Sequence, residues 1–200
     1  MKLFAISAFA VTSLAASSAL AQSQGPANPG PVIPGVCVYF NQQALAQSTV
    51  GQAVQARMEQ LAQEVQGEIA PYATQLQTEY QALQAGASTI PADQLNQRRQ
   101  ALQQRAQEAQ QLEQTRDGEL RYTLAEQRKK ISEAIEPILV AVYQEKGCGI
   151  LVDRESVFIM NPAMDVTPLV IQRLNTALPT LSFNRMAVPA QTQAQPAAAN

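Results

Sequence analysis

Between Val54 and Leu83 the apolar residues come in triplets that repeat every eleven positions. They are Val54, Met58 and Leu61, then Val65, Ile69 and Tyr72, then Leu76, Tyr80 and Leu83. A repeat of eleven corresponds to about 3.67 residues per turn, which gives one long helix a straight or slightly right-handed apolar seam. A second apolar series follows at Leu95, Leu102, Ala106, Ala109, Leu120 and Leu124. Folding the chain back at Ser88-Thr89 sets Leu83 against Leu95, Leu76 against Leu102 and Tyr72 against Ala106. The same fold-back sets Ile69 against Ala109, Met58 against Leu120 and Val54 against Leu124. One fold-back point that aligns all of these pairs predicts a long antiparallel helical hairpin.

Arms of roughly 35 and 55 residues are about 50 and 80 Å long at 1.5 Å per residue. Two helices alone bury little core, so the chain needs a compact base, an oligomer, or both. The composition agrees: 5% of residues are aromatic, Trp is absent, and Gln crowds both arms. Gln is a fair helix former and keeps an exposed face wet without strong charge. The chain has no His, so Ser-His-Asp, Cys-His and HExxH arrangements are unavailable. No Lys follows a Gly, so there is no Walker A phosphate loop. We therefore expect no enzyme, no cofactor and no metal. A net charge of −2 and a pI of about 5.2 argue against a nucleic-acid partner. After the N-terminus no run reaches the roughly 20 apolar residues that span a bilayer.

Residues 1–21 read as a secretory signal peptide. Lys2 supplies the positive start, Leu3 to Leu14 the apolar stretch, and Ala19-Leu20-Ala21 the cleavage site before Gln22. An uncleaved anchor is the competing reading, and the shortness of the apolar stretch weighs against it. Residues 22–34, rich in Gly, Pro and Asn, predict a flexible linker. Gly35 to Phe40 predicts a buried strand carrying Val36, Val38 and Phe40, and Asn41 to Gly51 a short helix or bent lead into the first arm. Gly86 to Pro91 is the turn between the arms, and Lys146-Gly147 ends the second. A second strand, Gly149 to Val152, carries Ile150 and Val152; a third, Ser156 to Met160, carries Val157 and Ile159. Thr167 is expected to cap a last helix, with Pro168 in its first turn and Leu169, Val170, Ile171 and Leu174 to bury. Residues 182–200 lose apolar periodicity and predict a disordered tail. The hairpin, residues 54–135, is thus an insertion in a small β-containing body of residues 35–53 and 136–181. The fold class is α+β, mostly α.

Several residues carry two readings. Pro71 and Pro137 each remove a helix hydrogen bond and predict bends, which are hinges if the arms must flex and tolerated kinks otherwise. Cys37 and Cys148 are the only cysteines. In an exported protein they are a disulfide candidate, provided the first two strands are neighbours; two buried thiols are the alternative. A bridge closing about 110 residues would stabilise by up to about 4–5 kcal/mol on chain entropy. Tyr72 and Tyr80 fall on the seam and read as packing rather than as contacts for a bound partner; Tyr122 lies on the second arm. Arg98, Arg99 and Arg105 form a loose basic patch, read as a solvated face rather than a contact for acidic partners or lipid headgroups. Asp117 with Arg121, and Glu126 with Lys130, are spaced to pair across one helical turn.

The order strand, long hairpin, strand resembles the Skp (OmpH) family of periplasmic holdase chaperones. The resemblance is carried by Val36-Cys37-Val38-Tyr39-Phe40-Asn41, Ser48-Thr49-Val50-Gly51-Gln52-Ala53, Gly149-Ile150-Leu151-Val152-Asp153, Ser156-Val157 and Asp165-Val166-Thr167. It implies a homotrimer whose strands combine into a trimerisation body. It also implies hairpins that hang as tentacles around a cavity and hold unfolded outer-membrane β-barrel proteins without ATP. The chain departs from its basic relatives in being mildly acidic, and its arm tip, Ala87 to Ala92, bears no charged side chain. That balance weighs against long-range attraction of acidic clients and against lipopolysaccharide binding; any contact with membrane lipids is expected to be peripheral and not membrane-spanning. A coiled-coil structural or adaptor protein of the cell envelope is the alternative reading.

Overall fold

The computed structural model describes residues 30–190, so the expected signal peptide, most of the linker and residues 191–200 lie outside the described residues. Strand β1 spans Val36–Tyr39, followed by α1 (Asn41–Gln47), α2 (Thr49–Gly86), α3 (Ala92–Glu145), β2 (Ile150–Asp153) and α4 (Thr167–Ala177). Parallel strands need a long crossover. Here the crossover between β1 and β2 is the whole hairpin. The pair is parallel, in register from Val36 against Ile150 to Tyr39 against Asp153. On its other edge β1 bridges Asp165, and the Val166 amide donates to the Val38 carbonyl at 2.9 Å.

The neck between α1 and α2 is set by Ser48 and Gly51. Ser48 is extended and buried, and its Oγ accepts from the Gly51 amide at 3.2 Å, capping α2. A Cβ at Gly51 would lie 1.6 Å from the Leu45 carbonyl oxygen, so only glycine lets the two helices meet so closely. At the far end, Gly147 adopts φ +62°, and the amides of Gly147 and Cys148 donate to the carbonyls of Gln144 and Tyr143. That is a Schellman cap, and it turns the chain straight back onto β1. Gly149 and Ile150 then donate to the Gly35 carbonyl. Both prolines lie inside continuous helices, Pro71 in α2 and Pro137 in α3.

One cluster joins base and neck. Cys37, Tyr39, Ala44, Val50 and Val54 pack with Ile131, Ile135, Val142 and Cys148, and with Val166, Val170 and Leu174. In α4, Val170 and Leu174 are fully covered and Leu169 and Ile171 are half-buried. Thr167 is buried but caps differently from expectation: its Oγ1 accepts from the Phe40 amide at 2.9 Å, and Asp165 Oδ1 accepts from the Thr167 amide. The hydroxyl therefore ties α4 to the exit of β1.

Two expectations about the base and its flanks fail. Ser156 to Met160 is not a strand. Asp153 Oδ1 accepts from the Glu155 amide and starts a 3-10 turn, Arg154–Ser156. The Val157 amide then donates to the Arg154 carbonyl, and the Val157 carbonyl accepts from the Arg154 side chain, so neither group is left for a ladder. Val157 ends half-buried, Ile159 exposed and Phe158 97% exposed. The second failure is the tail. Residues 182–190 are not a loose continuation of the chain but lie extended against the lower arms, with Phe183, Arg185, Met186 and Val188 turned inward.

Candidate functional site

No residue from 66 to 122 is fully buried. Below that stretch Leu61 and Val65 on α2 meet a covered face of α3 that includes Thr123, Gln127 and Ile131. Above it, Ile69, Leu76, Leu83, Leu95, Leu102, Ala109 and Leu120 are half-buried, a seam one side chain wide with water on both flanks. Glu68 pairs with Arg116, and Glu79 with Arg105. The two pairs keep the eleven-residue spacing but share a register six residues off the expected fold-back, which would have set Glu68 against Gln110 and Glu79 against Arg99; Leu83 accordingly shares a groove with Ala101 rather than meeting Leu95. Val54 and Met58 share a groove with Leu124, whereas Leu120 sits with Val65 and Ile69, nearer the tip than the Met58 pairing expected. Side chains lean toward the N-terminus of their own helix, which displaces partners along an antiparallel pair.

Tyr72 and Tyr80 are not seam packing. They are 43% and 52% exposed. By the register of the ion pairs Tyr72 lies at the level of Leu112 and Tyr80 at that of Gln104, and among the described residues no third element covers the phenols. Arg105 is taken by Glu79, which removes one charge from the expected basic patch and leaves Arg98 and Arg99. Asp117 pairs with Arg121 as spaced, while Glu126 and Lys130 form no ion pair.

In the base, Cys37 and Cys148 are bonded, with Cα atoms 5.7 Å apart, and both are buried. Val38 is buried, Val36, Phe40 and Val152 are half-buried, and Ile150 is 59% exposed. Phe40 lies just past β1. Tyr39 donates to Asn41 Oδ1 at 3.2 Å; burial, with the nearby Asp153 carboxylate, pushes its phenol up to about 12. Arg173 bonds to Glu145, tying α4 to the end of α3 and holding that carboxyl below its ordinary range. β2 has no neighbour beyond β1 among the described residues. Its open edge, exposed Ile150, Phe158 and Ile159, and an apolar groove of about 430 Å³ between Tyr39, Ile135, Leu139, Val140 and Leu151 form the uncovered side of the base.

The pattern expected from sequence did not single out Arg57, Glu68, Arg116, Glu119 and Arg185, which join the tail to both arms. Its one signal was the alternation of Leu181, Phe183 and Arg185, inward at every second residue. Among the described residues no group of His, Cys, Asp and Glu could hold a metal ion, and no helix is long and apolar enough to cross a membrane.

A helical hairpin inserted in a small disulfide-bonded α+β base defines the class of this molecule. A model of the family described as outer membrane protein (OmpH-like) matches residues 35–174. A crystal structure of a candidate outer membrane chaperone (OmpH-like) from Caulobacter crescentus CB15 is 36% identical, with a TM-score of 0.73. The match covers 81% of this chain and 95% of that one. No curated protein matches. The chain belongs to the OmpH-like family.

Proposed function

We propose that this chain is an ATP-independent holdase chaperone of the periplasm, exported with cleavage after Ala21. In this reading it assembles as a homotrimer through its base and holds unfolded outer-membrane β-barrel proteins between its arms, without acting as an enzyme. The observation that carries the reading is the arm: two long helices whose only burial above Val65 is a one-sided seam. Such arms gain nothing for the fold by their length, yet they present a large, wet, weakly apolar surface. Exposed Tyr72 and Tyr80 add aromatic contact area to it. Many weak contacts over an enclosed volume slow escape without any tight site, which suits clients of varied sequence. The open β2 edge supports assembly, since an unpaired edge beside exposed apolar side chains asks for another strand or surface. Membership of the OmpH-like family supports the same role.

The test is light scattering on the full chain after a urea-unfolded outer-membrane barrel is diluted into it. A soluble peak of a trimer plus one client is the expected result. A bare oligomer beside precipitated client would overturn the holdase reading in favour of an envelope adaptor with one folded partner.

A further inference from the structure

Residues 181–188 lie on the lower arms as a bound peptide would. The Met186 amide donates to Thr123 Oγ1 at 2.8 Å, while the same hydroxyl donates back to the Glu119 carbonyl at 2.7 Å. Gln127 Nε2 approaches Met186 Sδ at 3.8 Å. Thr123 and Gln127 are both wholly buried; the segment's amide satisfies Thr123, whereas Gln127 meets only the Met186 sulfur and its Oε1 has no partner. Arg57 on α2 donates to the Phe183 carbonyl at 3.3 Å. Further toward the tip, the Arg185 guanidinium reaches Glu68 on α2 at 2.8 Å and Glu119 on α3 at 3.0 Å. Arg116 crosses the same gap, bonding Glu68 and Glu119. Val188 lies beside Gly118 on α3, where a Cβ would stand 3.7 Å from its Cγ2, an ordinary contact.

Each of these contacts ties the segment to one helix, and Arg185 ties it to both. The bonds stop at Glu68, three residues below Pro71, where α2 loses a backbone hydrogen bond. We propose that residues 181–188 are a brace that fixes the spacing of α2 and α3 below Pro71, so that the arms can part only above it. The consequence for clients rests on the holdase reading: the brace sets the floor of the cavity and leaves the upper arms to adapt.

Hydrogen–deuterium exchange of the full chain, without client, tests the brace independently of that reading. Two variants, Arg185→Glu and Met186→Pro, remove the bridging charge and the amide donor to Thr123. The expected result is immediate exchange of the 182–188 peptide and at least tenfold faster exchange over residues 57–68 and 116–127, with β1 and α4 unchanged. Exchange in α4 also reports that each variant is folded. A released segment with arm exchange within twofold of the parent would overturn the proposal, as would a segment that neither variant releases. Loss of client capture in the parent chain would count against the holdase reading and leave the brace standing.

Discussion

In the base, each element is secured several times over. β1 is hydrogen-bonded on both edges, its Cys37 is bonded to Cys148, and its exit is held by Thr167 of α4. In the arms above the Glu68–Arg116–Arg185 cluster no residue is fully buried, and the seam is held by half-buried neighbours and single ion pairs. Local stability follows the density of buried contacts, so the two regions should open at different free energies. On the holdase reading, the division would give a fixed base for assembly and arms that yield to clients. Pro71 lies in the thinly packed part of α2, whereas Pro137 lies in α3 between Ile135 and Ile138 of the base cluster, so of the two expected hinges Pro71 has the less packed surroundings.

The comparison is broken most severely by removing the crosslink. Cys37→Ser with Cys148→Ser opens a loop of sequence separation 111. By chain entropy this should destabilise the base by up to about 4–5 kcal/mol. Urea unfolding should show an early base transition, and reductant should reproduce it in the parent. An unchanged midpoint would show that the sheet and α4 suffice without the bond. Gly51→Ala is next. Its Cβ meets a backbone oxygen that cannot rotate away, so α1 must shift, at about 1–3 kcal/mol for an overpacked neck. Thermal unfolding checks it, and a gain in Tm would mean that the neck adjusts freely.

How much of this was legible depended on whether a residue answers to its own helix or to something distant. The eleven-residue repeat announced α2 and the turn at Gly86, and Lys146-Gly147 announced the end of α3, because helix period and caps are local. Cys37 and Cys148 were legible as candidates from compartment and strand placement. Ser156 to Met160 misled because β-branched and aromatic residues report a wish for burial, not a ladder partner, and the Asp153 turn had already consumed the groups of Val157. Tyr72 misled for a related reason. Periodicity gives the face, but whether that face is covered depends on a further layer packing over the pair of helices, which periodicity does not report. The brace was hidden because Arg185 and Met186 owe their place to Glu68, Glu119 and Thr123, more than sixty residues away for the amide bond alone.

Leu76→Glu sharpens the comparison from the other side. Leu76 is half-buried on the seam, with no fully buried residue around it. A carboxylate there should fray the upper arms and lower helical content by circular dichroism, while the urea transition of the base stays within about 0.5 kcal/mol, as expected for distant independent sites. A matching loss in the base would mean that arms and base unfold as one unit.

The smallest effect is a matter of pH at the boundary between the two regions. The Arg185 guanidinium bonds the Glu68 carboxylate, and Arg116 adds to it, which together hold that carboxyl below its ordinary value of 4.5. The charged groups around it are Arg185 from the tail and Arg116 and Glu119 from α3; partial desolvation raises the carboxyl but does not outweigh the two arginines. A carboxyl depressed in the fold stabilises what it holds at pH above its unfolded value, and that contribution is lost as pH falls through the folded value. The brace should therefore be complete at neutral pH, begin to weaken as free carboxylates titrate, and lose this contribution once the pH has passed below the folded value. Because Glu68 is exposed, the change should be local, seen in the Met186 amide and not in the base. A carboxyl titration by NMR should place Glu68 below 4.5 and move it upward in Arg185→Gln, whereas a parent value at or above 4.5 would show that Arg185 passes the arms without holding them.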